Sequence, residues 1–246
     1  MEFTAIEAAG GNPTGIVQFS NINHRSEYIK IASRLMPQDL RLEQFGFLEG
    51  LNSFYMSGGE FSGNGARAAA WLIYKLTNKT SGSFVMSGIT NPVKYKIFPK
   101  NIVECEFPDL VIKVSPIELK NGYKGILVDM GGIVHFVLDM SIKFVSKEKY
   151  YKKIHKEIFQ ELQLEHLPAT GVIWQQQEFK NITVHPIVRV RDANSFFYET
   201  SCGSGSLAVL MASGKQSLTV IQPSGKGIYT EKTVGGFILR SEVKEI

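Results

Sequence analysis

Two segments carry the side chains best suited to chemistry. Residues 59–67 read Gly-Glu-Phe-Ser-Gly-Asn-Gly-Ala-Arg, and residues 199–206 read Glu-Thr-Ser-Cys-Gly-Ser-Gly-Ser. Each sets a small nucleophilic or basic side chain, Ser62 or Cys202, directly before a Gly-x-Gly pair that opens an alanine- or leucine-rich helical stretch. The first turn of a helix leaves N–H groups unpaired and partly positive, and glycines let an anion approach them closely. Two such N-termini facing each other can hold one carboxylate, with a reactive atom on either side. That arrangement suits carrying a proton from one face of a carbon to the other, because charge built onto the neighbouring carboxylate meets fixed donors. One helix end contributes about 0.3–2 kcal/mol and one aimed donor about 3 kcal/mol. Typical enzymatic accelerations require roughly 8–23 kcal/mol, so several donors, exclusion of water and a positioned base must act together.

Cys202 is the natural base. A thiol at a helix N-terminus is predicted to ionise below its usual value of about 8.5, towards the neutral range where a general base works best. An isolated free cysteine is more often a small buried apolar residue, and Cys105, in the strand-like Val-Glu-Cys-Glu-Phe, is read that way. The repeated helix start sets Cys202 apart.

These motifs need elements to hold them. Short β-branched or aromatic runs bounded by Gly, Asn or Pro predict strands over 15–19, 44–48, 54–56, 83–86, 94–98 and 103–107. Helices are predicted over 26–34, with Ser26 as N-cap, and over 63–76, whose alanine-rich surface is apolar nearly all round, as in a helix enclosed by sheet. The second half repeats the plan, with strands over 125–130, 134–138, 171–174, 185–190 and 218–221, an amphipathic helix over 147–162 and a short apolar helix after Gly203. Positions 62 and 202 lie 140 residues apart, the scale of a duplicated domain. The boundary is placed near 116–123, where Pro and Asn-Gly interrupt the pattern. Residues 1–118 then form one lobe and 119–235 the other, with the last strand, from Gly236, returning to complete the first.

At 246 residues, 43% hydrophobic and 20% charged, the chain has the make-up of an ordinary globular protein. No apolar run approaches the roughly 20 residues that span a bilayer, and the N-terminal residues lack a secretion-signal pattern. Two cysteines make no disulfide framework, so the cytoplasm is the expected compartment. The net charge of +4 is modest, and the lysines over 147–156 read as a solvated helix face rather than a nucleic-acid stripe. Neither glycine motif continues into the Lys-Ser or Lys-Thr of a P-loop. Five scattered histidines offer no metal-ligand spacing.

The pair Glu-Phe-Ser-Gly-Asn-Gly and Glu-Thr-Ser-Cys-Gly-Ser-Gly resembles the cofactor-independent diaminopimelate epimerase family, closest to its histidine racemases of opine-metallophore biosynthesis. The likeness extends to Glu43-Gln44-Phe45-Gly46-Phe47, Met56-Ser57-Gly58, Val134-His135-Phe136-Val137 and Gln222-Pro223-Ser224-Gly225. The resemblance implies an α/β (α+β) fold of two pseudo-symmetric domains, each a sheet wrapped around a central helix, with the site in the cleft between them. It implies two cysteines acting as acid and base on opposite faces of an amino acid's α-carbon, without cofactor or metal, in a homodimer. Ser62 departs from it, since a hydroxyl is a far weaker acid than a thiol. With the rest of the motif intact, an inactivating Cys→Ser change is the favoured explanation, and a natively slow or one-sided enzyme the alternative.

By the same resemblance Asn12, in Gly-Gly-Asn-Pro-Thr-Gly, orients the substrate in the cleft, and Glu43 binds its amino or imidazole group. Gly63, Asn64, Gly203 and Ser204 donate N–H groups to the α-carboxylate, and Glu199 touches the ammonium or braces its loop. The Glu-Arg pair that diaminopimelate enzymes carry before the second cysteine is missing from Asp192-Ala193-Asn194, which argues against a second, distal carboxylate. His135 reads as a strand histidine. Two rival functions stay open: a phenazine-pathway-type isomerase that shuttles the proton on Glu43, and a non-catalytic amino-acid binder.

Overall fold

The computed structural model describes residues 1–20, 25–38, 42–178 and 181–246. The first half runs β1 (Thr4–Ala8), β2 (Gly11–Phe19), α1 (Tyr28–Leu35), β3 (Gln44–Glu49), β4 (Ser53–Met56), α2 (Gly63–Thr77), β5 (Ser81–Met86), β6 (Val93–Phe98) and β7 (Ile102–Pro108). The second continues β8 (Lys113–Glu118), β9 (Lys124–Asp129), β10 (Val134–Leu138), α3 (Glu148–Glu161), β11 (Ala169–Glu178), β12 (Asn181–Val190), β13 (Ser195–Tyr198), α4 (Gly203–Ser213), β14 (Ser217–Ile221), β15 (Gly227–Thr233) and β16 (Gly236–Glu245).

Strand pairing closes a ring. β1 to β7 pair in chain order, β16 pairs with β7, and β16 also pairs with β1, so these strands form a closed β-barrel. α2 threads it, and Ala66 to Ile73 are all buried. Alanine dominates because a helix enclosed by strands has room for little more than a methyl group on most of its faces. From β16 the pairing continues through β15, β14, β12, β11, β10 and β9 to β8, and these strands cover α4. The connections repeat across the two halves. Parallel pairs β2–β3 and β10–β11 are bridged by α1 and α3, and β4–β5 and β12–β14 by α2 and α4. One core cluster embraces α2 and α4 together. Separate clusters seat α3 on Trp174 and Phe136, and α1 on Phe45 and Phe47.

Several elements differ from expectation. β1, β8, β13 and β15 were not predicted. β1 is rich in Ala and Glu, and β8 is an exposed edge strand carrying Pro116, as edge strands tolerate. Pro116 therefore lies inside a strand, and Asn121-Gly122 forms the tight turn that joins β8 to β9, with Gly122 at φ +84°. Ser26 makes no cap, because 25–27 form a 3-10 turn and Glu27 precedes α1.

A buried carboxylate fixes that first helix. Glu49 at the end of β3 accepts from Arg25 Nη2 at 2.9 Å, from Arg25 Nε at 3.2 Å, and from the Tyr28 hydroxyl. Burial raises its pKa, but the Arg25 and Tyr28 hydrogen bonds and the Arg25 charge outweigh that, and the net shift is downward. A carboxylate held below its unfolded value stabilises the fold above that value and loses the contribution as pH falls through the folded one. Glu49→Ala is expected to cost about 2–4 kcal/mol in urea denaturation at neutral pH, with a smaller gap between variant and parent in acid.

Candidate functional site

Ser62 and Cys202 occupy equivalent local positions. Ser62 is the N-cap of α2, and its Oγ accepts from the Gly65 N–H at 3.0 Å. Cys202 is the N-cap of α4, and its Sγ accepts from the Gly205 N–H at 3.2 Å. Their backbones agree, with φ/ψ of −131/113° and −138/106°. A side-chain acceptor three residues before a free N–H is the usual way to satisfy a helix start, and sulfur serves here as oxygen does.

The two helix starts touch. A Cβ built on Gly203 would lie 3.0 Å from Cα and C of Gly63 and from Asn64 Oδ1, and one on Gly63 would lie 3.2 Å from Cα and C of Gly203. Only glycine at both positions permits this approach. Asn64 locks the junction by donating from Nδ2 to the Ser201 carbonyl at 2.8 Å. Its amide is oriented by Arg67, whose Nη2 donates to Asn64 Oδ1. Arg67 is wholly buried beneath the junction, and burial lowers its pKa to about 10, so it stays cationic at neutral pH.

Around this junction lies a narrow cleft. Ser62, Gly63 and Asn64 line it from α2, and Cys202, Gly203 and Ser204 from α4. Asn12, Glu43 and Glu199 complete the set, so every candidate from the sequence reaches one cavity. Asn12 sits at φ +47° with its Oδ1 buried and unpaired, and its N–H donates to Thr200 Oγ1 at 2.9 Å. Thr200 Oγ1 in turn donates to Glu43 Oε1 at 2.7 Å, while Glu43 Oε2 has no partner.

Proton affinities differ from the sequence expectation at one point. The Cys202 thiol is pushed up, not down. Burial is the largest cause, followed by the charge of Glu199 and its hydrogen bond, and the Ser204 and Gly205 donors only partly oppose them. A helix N-terminus lowers a thiol pKa where water also reaches it; here the sulfur is buried beside a carboxylate. Glu199 is itself pushed up to about 8 by burial, with the charge of Glu43 adding to it, so thiol and carboxyl compete for protons as a pair. Glu199→Gln removes the charge that raises the thiol. The midpoint of Cys202 alkylation by iodoacetamide against pH is expected to move down; Cys105, fully buried in the core, stays silent.

On the other face Ser62 Oγ donates to Gln44 Oε1 at 2.9 Å, and Gln44 Nε2 donates to Thr14 Oγ1 at 2.7 Å. The Ser62 proton is thus held by a neutral amide. Sequence reasoning passed over Gln44, Arg67 and Glu60, although all three stand inside quoted motifs. Nothing local marks a side chain as buried or aimed into a cleft. His135 lies behind Ser204, with Nε2 2.9 Å from Ser204 Oγ, and burial pushes its pKa down to about 3. Among the described residues no group of three or more metal-ligating side chains occurs, and no helix is long and apolar enough to cross a membrane.

A family model described as the histidine racemase CntK N-terminal domain matches residues 10–241. Among characterised relatives, a histidine racemase of Fusobacterium nucleatum is 26% identical over 242 residues, covering 92% of this chain and 86% of that protein. A histidine racemase of Staphylococcus aureus is also 26% identical, over 256 residues, covering 94% of this chain and 90% of that one. Among solved structures, a phenazine biosynthesis protein of the PhzF family from Enterococcus faecalis superposes with a TM-score of 0.62 at 13% identity, covering 100% of this chain and 97% of that one. At that identity the likeness concerns the fold.

Proposed function

Because the chain belongs to the histidine racemase family, and is a racemase-type isomerase, we propose that it interconverts L- and D-histidine by proton transfer at the α-carbon, with Cys202 on one face and position 62 on the other. The observation that carries this reading is the contact of two helix N-termini at Gly63 and Gly203, capped by Ser62 and Cys202 and opening into one cavity. An α-carboxylate seated there meets unpaired N–H groups of both helices, which stabilise the charge that develops as the α-proton leaves. Glu43 and Asn12, each with an unpaired buried oxygen, suit the substrate ammonium. Glu199 takes the Cys202 proton, and the resulting thiolate removes the α-hydrogen. The ammonium of the bound substrate favours both ionisations by lowering the cost of negative charge nearby.

On this reading the barrel around α2 and the strands around α4 are the two lobes of a duplicated, diaminopimelate-epimerase-like unit. The division this reading takes lies near 108–113, since β8 pairs with β9. The face presented by Ser62 is then the weak one, because its hydroxyl does not ionise readily and donates to a neutral amide. The protein is expected to exchange the α-hydrogen of one enantiomer in heavy water while interconverting the two slowly or not at all. Incubating L- and D-histidine separately and following α-deuteration tests this. Loss of all exchange in Cys202→Ser supports the thiol as base.

A second reading has one observation in its favour. Glu43 is buried in the same cavity with an unpaired oxygen, and burial raises its pKa against the opposing Thr200 hydrogen bond, as a single-carboxylate shuttle of the phenazine-pathway type would need. Exchange that survives Cys202→Ser but fails in Glu43→Gln would establish it. Tight amino-acid binding with no exchange in any variant would leave a binding protein.

A further inference from the structure

The cleft contains a carboxyl group that the proton-transfer scheme does not use. Glu60 lies two residues before Ser62 and lines the same cavity, and the whole residue is 6% exposed. Its carboxyl is held by the backbone N–H groups of Gly58 and of Glu60 itself, yet Oε2 is buried without a partner. Gly58 makes room for it, since a Cβ there would lie 2.7 Å from Oε2 and 2.8 Å from Val190 Cγ1. Val190 ends β12, and with Val188, Ala193 and Phe197 it gives this side of the cleft an apolar wall. The acidic groups whose charge acts on Glu60 are Glu199 and Asp192, the latter itself paired with Arg191 at 2.7 Å. Among the described residues the cavity lining includes no lysine, arginine or histidine.

Building on the racemase reading, we propose that Glu60 is the residue that selects the substrate's side chain, its free Oε2 accepting the N–H of a basic ring seated against Val190 and Phe197. Matching of donors to acceptors supports this. The cleft holds two unpaired buried carboxyl oxygens, one on Glu43 and one on Glu60. The α-ammonium satisfies the first. An unmatched buried acceptor is costly, and a side chain that ends in an N–H satisfies the second. Histidine offers both donors, whereas an amino acid with a purely apolar side chain leaves Glu60 unmatched. The surroundings disfavour charge at this position, since burial, reinforced by Asp192, raises the Glu60 carboxyl to about 7. A cationic or N–H-bearing ligand offsets that penalty.

The test compares L-histidine with β-(2-thienyl)-L-alanine, whose ring has similar size but no N–H, by calorimetric titration of the full-length protein. The unmodified protein is expected to bind histidine at least tenfold more tightly than the thienyl analogue. Glu60→Gln keeps the shape but removes the charge, and should reduce histidine affinity by about 10–100-fold, as for hydrogen bonds to charged groups, while shifting the analogue much less. Glu60→Met should remove the preference altogether, and Glu60→Asp should retain part of it. Circular dichroism melts confirm that each variant is folded, and Glu60→Gln, the least disruptive, suffices if the others are not. Equal losses for both ligands, or an unchanged preference for histidine, overturn the assignment and leave the racemase reading standing. So does a fall in saturating exchange rate with both affinities unchanged, which would make Glu60 a proton-transfer group. If the unmodified protein binds neither ligand, the racemase reading itself fails, and the Glu60 assignment with it.

Discussion

Ser62→Cys is expected to raise the rate of histidine interconversion by about 10²–10⁴-fold, the usual worth of a competent acid–base group. The site is already shaped for a thiol at position 62. The N-cap backbone there matches that of Cys202 within about ten degrees in each dihedral. Sγ of Cys202 accepts a helix N–H at 3.2 Å, where Oγ of Ser62 accepts one at 3.0 Å, so the larger atom needs only a small outward shift. The Gln44 carbonyl that takes the serine proton can take a thiol proton equally well. What changes is acidity: a thiol ionises many pH units more readily than an aliphatic hydroxyl. Circular dichroism with each enantiomer as starting material measures the gain. Stability should change by less than about 1.5 kcal/mol, as expected of a nearly isosteric exchange. An unchanged rate would show that position 62 does not carry the second proton transfer, and would shift attention to Glu43.

Gly203→Ala is expected to cost about 100-fold in α-hydrogen exchange, together with about 1–3 kcal/mol of stability. The added methyl group would meet Gly63 Cα and C at 3.0 Å, and these are backbone atoms of a buried helix start that cannot rotate away. The helices must separate, and overpacking of this kind has that typical cost. Separation also moves the two sets of N–H donors and the two caps relative to each other, and a misplacement of about 1 Å is enough for a 10²-fold loss. Gly214→Ala is the control. It removes a left-handed C-cap at φ +68° on the same helix, far from the cleft, and should cost stability while sparing exchange. If Gly203→Ala retains full exchange, the contact of the two helix starts is incidental to function.

Much of this site was legible in the sequence because its key devices are local. A helix start is written into a few consecutive residues, so Ser62-Gly63-Asn64-Gly65 and Cys202-Gly203-Ser204-Gly205 announce both caps, and α2 begins at the predicted residue. Most strands were legible for the same reason, through alternation and bounding turns. β13 and β15 were passed over although Ser-Phe-Phe-Tyr and Ile-Tyr-Thr carry a strand-forming composition, whereas β1 and β8 were not legible, because their partners rather than their composition stabilise them. β16 shows this most clearly. Its pairing with β1 and β7 closes the barrel, and residues more than 100 positions apart decide it, while its hairpin with β15 joins the barrel to the second half.

The sequence alone marked Ser62 and Cys202 as helix caps, since a cap is written into a few consecutive residues, whereas the need for glycine at 63 and 203 comes from the contact of two helix starts 140 positions apart. Tertiary structure alone decided how those residues behave. Thr200 reaches Glu43 across 157 positions, Asn64 reaches Ser201 across 137, and Glu199 with burial reverses the expected acidity of Cys202. Proton affinity follows desolvation and neighbouring charge, and both are set by which distant segments the fold packs together.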